Sequence, residues 1–174
     1  DKPGHFRVNA KNVATKVALA QNSSQMRSRY LEGSVREDLP QKMVFVAGPR
    51  QVGKTTLARA VLSSWETGAY LSWDNRSDRA EIRAARWPGG EALVVLDELH
   101  KWSGWKGWLK GEYDKHRERL RFLVTGSARL DVYRRGGDSL QGRYHHYLLH
   151  PFSAAEALGA SRPAPEHGAE IEVS

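Results

Sequence analysis

The stretch Gly48-Pro49-Arg50-Gln51-Val52-Gly53-Lys54-Thr55 constrains this chain more than any other. It fills every fixed position of the phosphate-loop pattern G-x-x-x-x-G-K-[ST]. An apolar run, Met43 to Ala47, precedes it, and a helical pattern opens after it through Thr56, Leu57 and Val61. Strand, loop and helix in that order are the context the pattern requires. Glycines at 48 and 53 let the backbone curl so that successive N–H groups face a phosphate. The following helix adds the positive end of its dipole. Lys54 can reach the β- and γ-phosphates, and Thr55 can offer its hydroxyl to Mg²⁺. The bland alternative is a glycine turn that happens to carry Lys-Thr.

A chain of 174 residues supports one domain with a sizeable core. No apolar run approaches the ~20 residues that span a bilayer, and the first residues lack the order of a secretion signal. There are no cysteines. That removes disulfides, thiolate metal sites and cysteine nucleophiles, and suits a reducing cytoplasm. The net charge is +7. Residues 43–100 carry seven charges of each sign, so the excess flanks the loop region on both sides. A basic flank attracts polyanions. No basic run here interleaves aromatics as a nucleic-acid module does, so a solvated surface is the simpler reading.

In chain order, residues 1–25 read as a leader or extension, and Met26 is a candidate start. A helix is expected from Arg27 to Leu39, closed by Pro40. After the loop, a helix should run to about Trp65. Ala69 to Trp73 reads as a second strand, and Ser77 to Ala85 as a solvated helix. The unbroken apolar run Ala92 to Leu96 suits a strand buried on both faces of a parallel sheet. It ends in Asp97-Glu98. Trp102 to Lys110 leads into a helix ending near His116. Phe122 to Thr125 is a fourth strand, followed by Gly126-Ser127 and a short helix over 128–135. Tyr144 to Leu149 is a fifth. Ser153 and Glu156 form a capping box opening a last helix. Residues 26–160 thus read as one core, and 161–174 as a loose tail or truncated linker. Alternating strands and helices imply a parallel sheet between helical layers, with a ligand at the carboxyl ends of the strands.

Lys54-Thr55, Asp97-Glu98 and Ser127 all stand just past strand ends, so the fold would gather them. Mg²⁺ takes oxygen ligands, which suits Asp97 beside Thr55. Glu98 is then placed to polarise a water attacking the γ-phosphate. A helix cap with a first-turn acid is the alternative for that pair. Ser127 can touch the γ-phosphate or the water; it can equally cap the helix after it. Arg143, just before the fifth strand, can stabilise charge on the transferring phosphoryl, in cis or from a neighbouring subunit. Arg134 and Arg135 are weaker candidates. Trp102, Trp105 and Trp108 recur every three residues. They read as core or a covered seam before they read as a base-stacking platform. His145, His146 and His150 lack a metal-site spacing, so no zinc is expected.

Four segments together, GPRQVGKTTL from Gly48, VVLDELHK from Val94, FLVTGSARL from Phe122 and GGDSLQGRYHHYLLHPF from Gly136, resemble the prokaryotic AAA+-type ATPases of the AAA_14/DUF4143 group. The resemblance implies a five-stranded parallel sheet in the order 5-1-4-3-2, a P-loop three-layer sandwich, with ATP and Mg²⁺ as cofactors. It implies that Lys54 and Thr55 are the Walker A pair, Asp97 and Glu98 the Walker B pair, Ser127 the sensor-1 residue and Arg143 the arginine-finger candidate. The residues expected to hold nucleotide are Gly48, Pro49, Arg50, Gln51, Val52, Gly53, Lys54, Thr55 and Thr56. The chain departs from the group where Leu99-His100 replaces the more usual Ile-Gln. Group members also continue into a C-terminal domain beyond these residues. The expected function is ATP hydrolysis driving a conformational or assembly change. Two rivals are a phosphotransferase, which Glu98 argues against, and a nucleotide-binding switch with little turnover that engages DNA or a protein. A homo-oligomer is an open expectation; a membrane partner is not expected.

Overall fold

The chain folds around a five-stranded parallel sheet whose three inner strands are buried and whose two edge strands, β2 (Gly68–Ser72) and β5 (Tyr144–Leu148), are partly exposed. The structure, a computed structural model, describes residues 29–127 and 140–151. The expected elements over 1–28, 128–139 and 152–174 lie outside the described residues, including the helices at 128–135 and after Ser153. Element order is α1 (Glu32–Asp38), β1 (Met43–Ala47), α2 (Lys54–Ser63), β2 (Gly68–Ser72), α3 (Arg76–Arg83), β3 (Ala92–Asp97), a 3₁₀ turn (Leu99–Lys101), α4 (Trp105–His116), β4 (Leu120–Gly126) and β5 (Tyr144–Leu148).

The strand order is β2-β3-β4-β1-β5, the expected 5-1-4-3-2. All four pairings are parallel. Their register runs from Val44 opposite Leu123 to Ala47 opposite Gly126, and from Leu96 opposite Val124 to Asp97 opposite Thr125. The carboxyl ends of β1, β3 and β4 therefore lie side by side. The central strands β1 and β3 are apolar and buried along their lengths, as double-sided cover demands. Edge strand β2 is only half-buried.

Two cores result, one on each face. Under α1 and α2, Leu57, Ala58 and Val61 meet Val44, Val46, Val95 and Leu123. Under α3 and α4, Ile82, Trp105 and Leu109 meet Phe45, Val94, Phe122 and Val124. Strand alternation sends successive residues to opposite faces, which is why Val95 and Val94 serve different cores. The tryptophan series belongs to the second core. Trp105 is buried in it, Trp102 and Trp108 pack on its edge, and Trp102 stacks on Trp73 with centroids 4.9 Å apart.

Several boundaries differ from the sequence reading. Helix α1 begins at Glu32, five residues after the expected start. Arg29 and Tyr30 make long-range bonds instead: the Tyr30 hydroxyl donates to the Leu148 carbonyl at 3.0 Å. Helix α3 begins one residue before Ser77, because the Asn75 side chain accepts from the Ser77 N–H and caps it. Among the described residues, no helix is long and apolar enough to cross a membrane.

Candidate functional site

The loop between β1 and α2 is wound by two left-handed residues, Gln51 at φ 62° and Gly53 at φ 96°. Alternating right- and left-handed backbone turns consecutive N–H groups into one concavity, an anion-binding shape. Lys54 opens α2 and is buried, with its ammonium folded back into the loop. Its Nζ donates to the Gly48 carbonyl at 2.9 Å and the Pro49 carbonyl at 2.7 Å. Burial holds the Lys54 pKa below its ordinary value, while the negative charges of Glu98 and Asp97 pull it back up. The ammonium thus sits inside the loop, within electrostatic reach of two carboxylates. Pro49, Arg50 and Thr55 are exposed; Val52 is buried in the α1–α2 core, so it offers the loop only its backbone.

Arg29 braces this loop and was not found by sequence reasoning. Its guanidinium donates to the Val52 carbonyl and, at 2.7 Å, to the His150 carbonyl. It is buried, and a Cβ on Gly53 would meet it at 2.6 Å. No local pattern marks such a residue: its partners lie 23 and 121 positions away.

Asp97 ends β3 beside Thr125 of β4. The Thr125 hydroxyl donates to Oδ1 at 2.5 Å, and the Tyr70 hydroxyl to Oδ2 at 2.7 Å. The Thr55 side-chain hydroxyl faces the same phenol and partly opposes the rise of its pKa. Burial, and then the Asp97 carboxylate, push the Tyr70 pKa well above its ordinary value, so Tyr70 stays a donor. Thr55 and Asp97 therefore flank one phenol, which bonds Asp97. An all-oxygen donor set is what Mg²⁺ requires, and the acids here are too few to enclose it. Among the described residues no group of three His, Cys, Asp or Glu forms a metal cage. A metal completed by substrate phosphates and water fits this set.

Glu98 follows in a left-handed conformation, φ 57°. A non-glycine residue there costs of order 1 kcal/mol or more and is held by its surroundings. The Glu98 N–H donates to the Thr125 carbonyl at 2.8 Å, which fixes the turn. The side chain makes no cap bond, so the cap reading of this residue does not describe it. It is instead the acid of a small network. Oε2 lies 3.2 Å from Lys101 Nζ and 3.7 Å from His100 Nε2. The Ser127 hydroxyl lies 3.1 Å from the same His100 nitrogen. Burial lowers the His100 pKa, opposed by Glu98.

The loop, Asp97, Glu98 and Ser127 thus share one sheet edge. Arg143 does not join them. It precedes β5, whose first residue Tyr144 pairs with Met43 at the start of β1. Five residues of strand, ~16 Å, separate it from the loop of its own chain. Asp114 holds it there at Nε–Oδ1 2.8 Å and Nη2–Oδ2 3.2 Å. This placement sets Arg143 at the opposite sheet edge from the phosphate loop of its own chain. Arg134 and Arg135 lie outside the described residues.

Among curated proteins, no sequence matches this chain. Among solved structures, the Aeropyrum pernix Orc1 protein, determined in complex with DNA, aligns at TM-score 0.56 and 16% identity, over 74% of this chain and 46% of its own. Caenorhabditis elegans PCH-2 aligns at TM-score 0.46 and 12% identity over 88% of this chain and 46% of its own. A katanin structure describing self-assembly aligns at TM-score 0.44 and 18% identity, over 83% and 50%. The chain spans about half the length of each, and the Orc1 likeness concerns the fold. A family profile described as an AAA domain, AAA_14, matches residues 40–158. That match takes in the loop, the acidic pair, Ser127 and Arg143, and the chain belongs to the AAA_14 family of AAA domains.

Proposed function

We propose that this chain is an ATP-binding module that hydrolyses ATP with Mg²⁺ and converts the step into a conformational or assembly change. One observation supports this most: Lys54, Thr55, Asp97 and Glu98 meet at one sheet edge, with Lys54 feeling both carboxylates. In this reading the N–H groups of residues 48 and 50–56 bind the phosphates. Lys54 leaves its two loop carbonyls for the β- and γ-phosphates. Thr55 and Asp97 would hold Mg²⁺, which when bound supplies charge neutralisation across those phosphates. Glu98 orients the attacking water. Ser127, through His100, is placed to sense the γ-phosphate and shift Glu98. Arg143, at the opposite sheet edge from its own loop, acts on a neighbouring subunit's nucleotide, which makes a homo-oligomer part of the proposal. A cysteine-free chain suits the cytoplasm, where we place it.

A switch with little turnover is the second reading, favoured by Lys101, which holds Glu98 aside. ATP hydrolysis measured against protein concentration, with and without DNA, tests both. A rate that rises with concentration supports assembly, and one that rises with DNA supports a nucleic-acid partner. Binding of ATP without measurable hydrolysis under any of these conditions favours the switch. No binding by the parent chain, or equal binding by Lys54→Ala, overturns the proposal.

A further inference from the structure

Tyr70 stands between two residues that the preceding proposal assigns to Mg²⁺, and nothing in that proposal uses it. Strand β2 pairs Tyr70 with Val95 and Ser72 with Asp97. Alternation therefore puts Tyr70, Val95 and Asp97 on one face of the sheet. Val95 packs under α2, so that face is the one carrying Thr55. The Tyr70 hydroxyl stands 2.7 Å from Asp97 Oδ2, on the side of the Thr55 hydroxyl. The guanidinium of Arg59, one turn along α2, lies over the ring at 5.2 Å and fixes its plane.

We infer that Tyr70 is a positioning residue for the metal. Asp97 ends a strand and carries no second acid to steady it. Its carboxylate is oriented by two hydroxyls, Thr125 on Oδ1 and Tyr70 on Oδ2. Thr125 is buried and serves the inner oxygen. Tyr70 serves Oδ2, on the side that faces Thr55, and fixes the direction in which the carboxylate points. Hydrogen-bonded partners of a metal ligand are worth roughly 10-fold or more in metal affinity. The inference rests on the proposed Mg²⁺-dependent nucleotide binding, and the experiment separates the two.

The measurement is binding of a fluorescent ATP analogue to the full chain, titrated with Mg²⁺ and repeated in EDTA. Tyr70→Phe removes the hydroxyl and keeps the ring under Arg59. The expected result is an apparent Mg²⁺ affinity weakened roughly 10-fold, with binding in EDTA and the melting temperature unchanged. Tyr70→Leu, which also removes the ring, should lose no more Mg²⁺ affinity than Tyr70→Phe. Unchanged Mg²⁺ dependence in Tyr70→Phe overturns the assignment. Equal losses with Mg²⁺ and in EDTA, alongside a lower melting temperature, also overturn it, because they mark a packing role. A parent chain that binds no nucleotide in either medium overturns the nucleotide proposal itself.

Discussion

Lys101 holds Glu98 with a 3.2 Å ion pair while the same ammonium lies 2.6 Å from Asp74. The glutamate is thereby steered along the sheet edge instead of hanging free in solvent. For Glu98 to orient a water, bound nucleotide must first draw it away from Lys101. Glu98→Gln keeps the shape and removes the charge. It is expected to bind ATP as the parent does and to hydrolyse it roughly 100-fold more slowly, the lower end for a positioned base. Parallel binding and phosphate-release assays check this. Equal hydrolysis by the two proteins would remove Glu98 from the chemistry.

Arg143 and Asp114 make the prediction about assembly. Their two-point bond pushes the Arg143 pKa up and the Asp114 pKa down. Both side chains are partly open to solvent, so the pair is weak enough for a partner's phosphates to break it. Arg143→Ala should bind ATP normally and lose turnover. Mixing it with Lys54→Ala chains should restore part of that turnover, because one subunit then supplies the loop and the other the arginine. The readout is hydrolysis against mixing ratio, and a flat, inactive series would end the intersubunit assignment.

What the sequence made legible was the part written in local runs. The apolar stretches over 43–47 and 92–96 announced buried strands, and the loop announced itself through its fixed positions. Their polar residues then fell at one edge because parallel strands all end on the same side. Tyr70 and Arg29 were not legible for the opposite reason. Tyr70 matters through strand register, and Arg29 through partners at Val52 and His150. Arg143 sat just before a strand, and its place at the far edge follows from the same rule of parallel ends. Tyr30 is likewise engaged across the fold: it lies in the turn that leads into α1, and its hydroxyl bonds Leu148 and His150.

His100 gives the pH prediction. Burial holds its pKa below the ordinary 6.5, and its Nδ1 is buried without a hydrogen-bond partner. Above about pH 6.5 the ring is neutral in folded and unfolded chains alike. As pH falls through that value the unfolded chain takes up a proton that the folded chain resists. Stability therefore declines on the acid side of 6.5 and levels off below the folded pKa. His116 is shifted the same way by burial and adds to the slope. Melting temperatures from about pH 8 to pH 5 should fall for the parent and fall less for His100→Gln. Identical slopes would show that His100 does not carry the effect.

Gly48 yields the sharpest steric prediction. A Cβ there would stand 2.6 Å from the Leu149 carbonyl oxygen and 3.0 Å from Val52 Cγ1. The first neighbour is backbone, and it is not free to retreat: the Leu149 N–H donates to Ala47 at 2.7 Å, continuing the β1–β5 pairing. The loop must shift instead, and with it the carbonyl that holds Lys54. Gly48→Ala should cost ~1–3 kcal/mol, the usual range for overpacking, read as a melting shift of about 2–4 °C per kcal/mol at this chain length. ATP affinity should fall as well, since the loop N–H groups that form the phosphate concavity move with it. Gly89→Ala is the control, because a Cβ at Gly89 meets nothing within 4 Å. If both variants melt and bind like the parent, the close approach of Leu149 to the loop is not what limits position 48 to glycine.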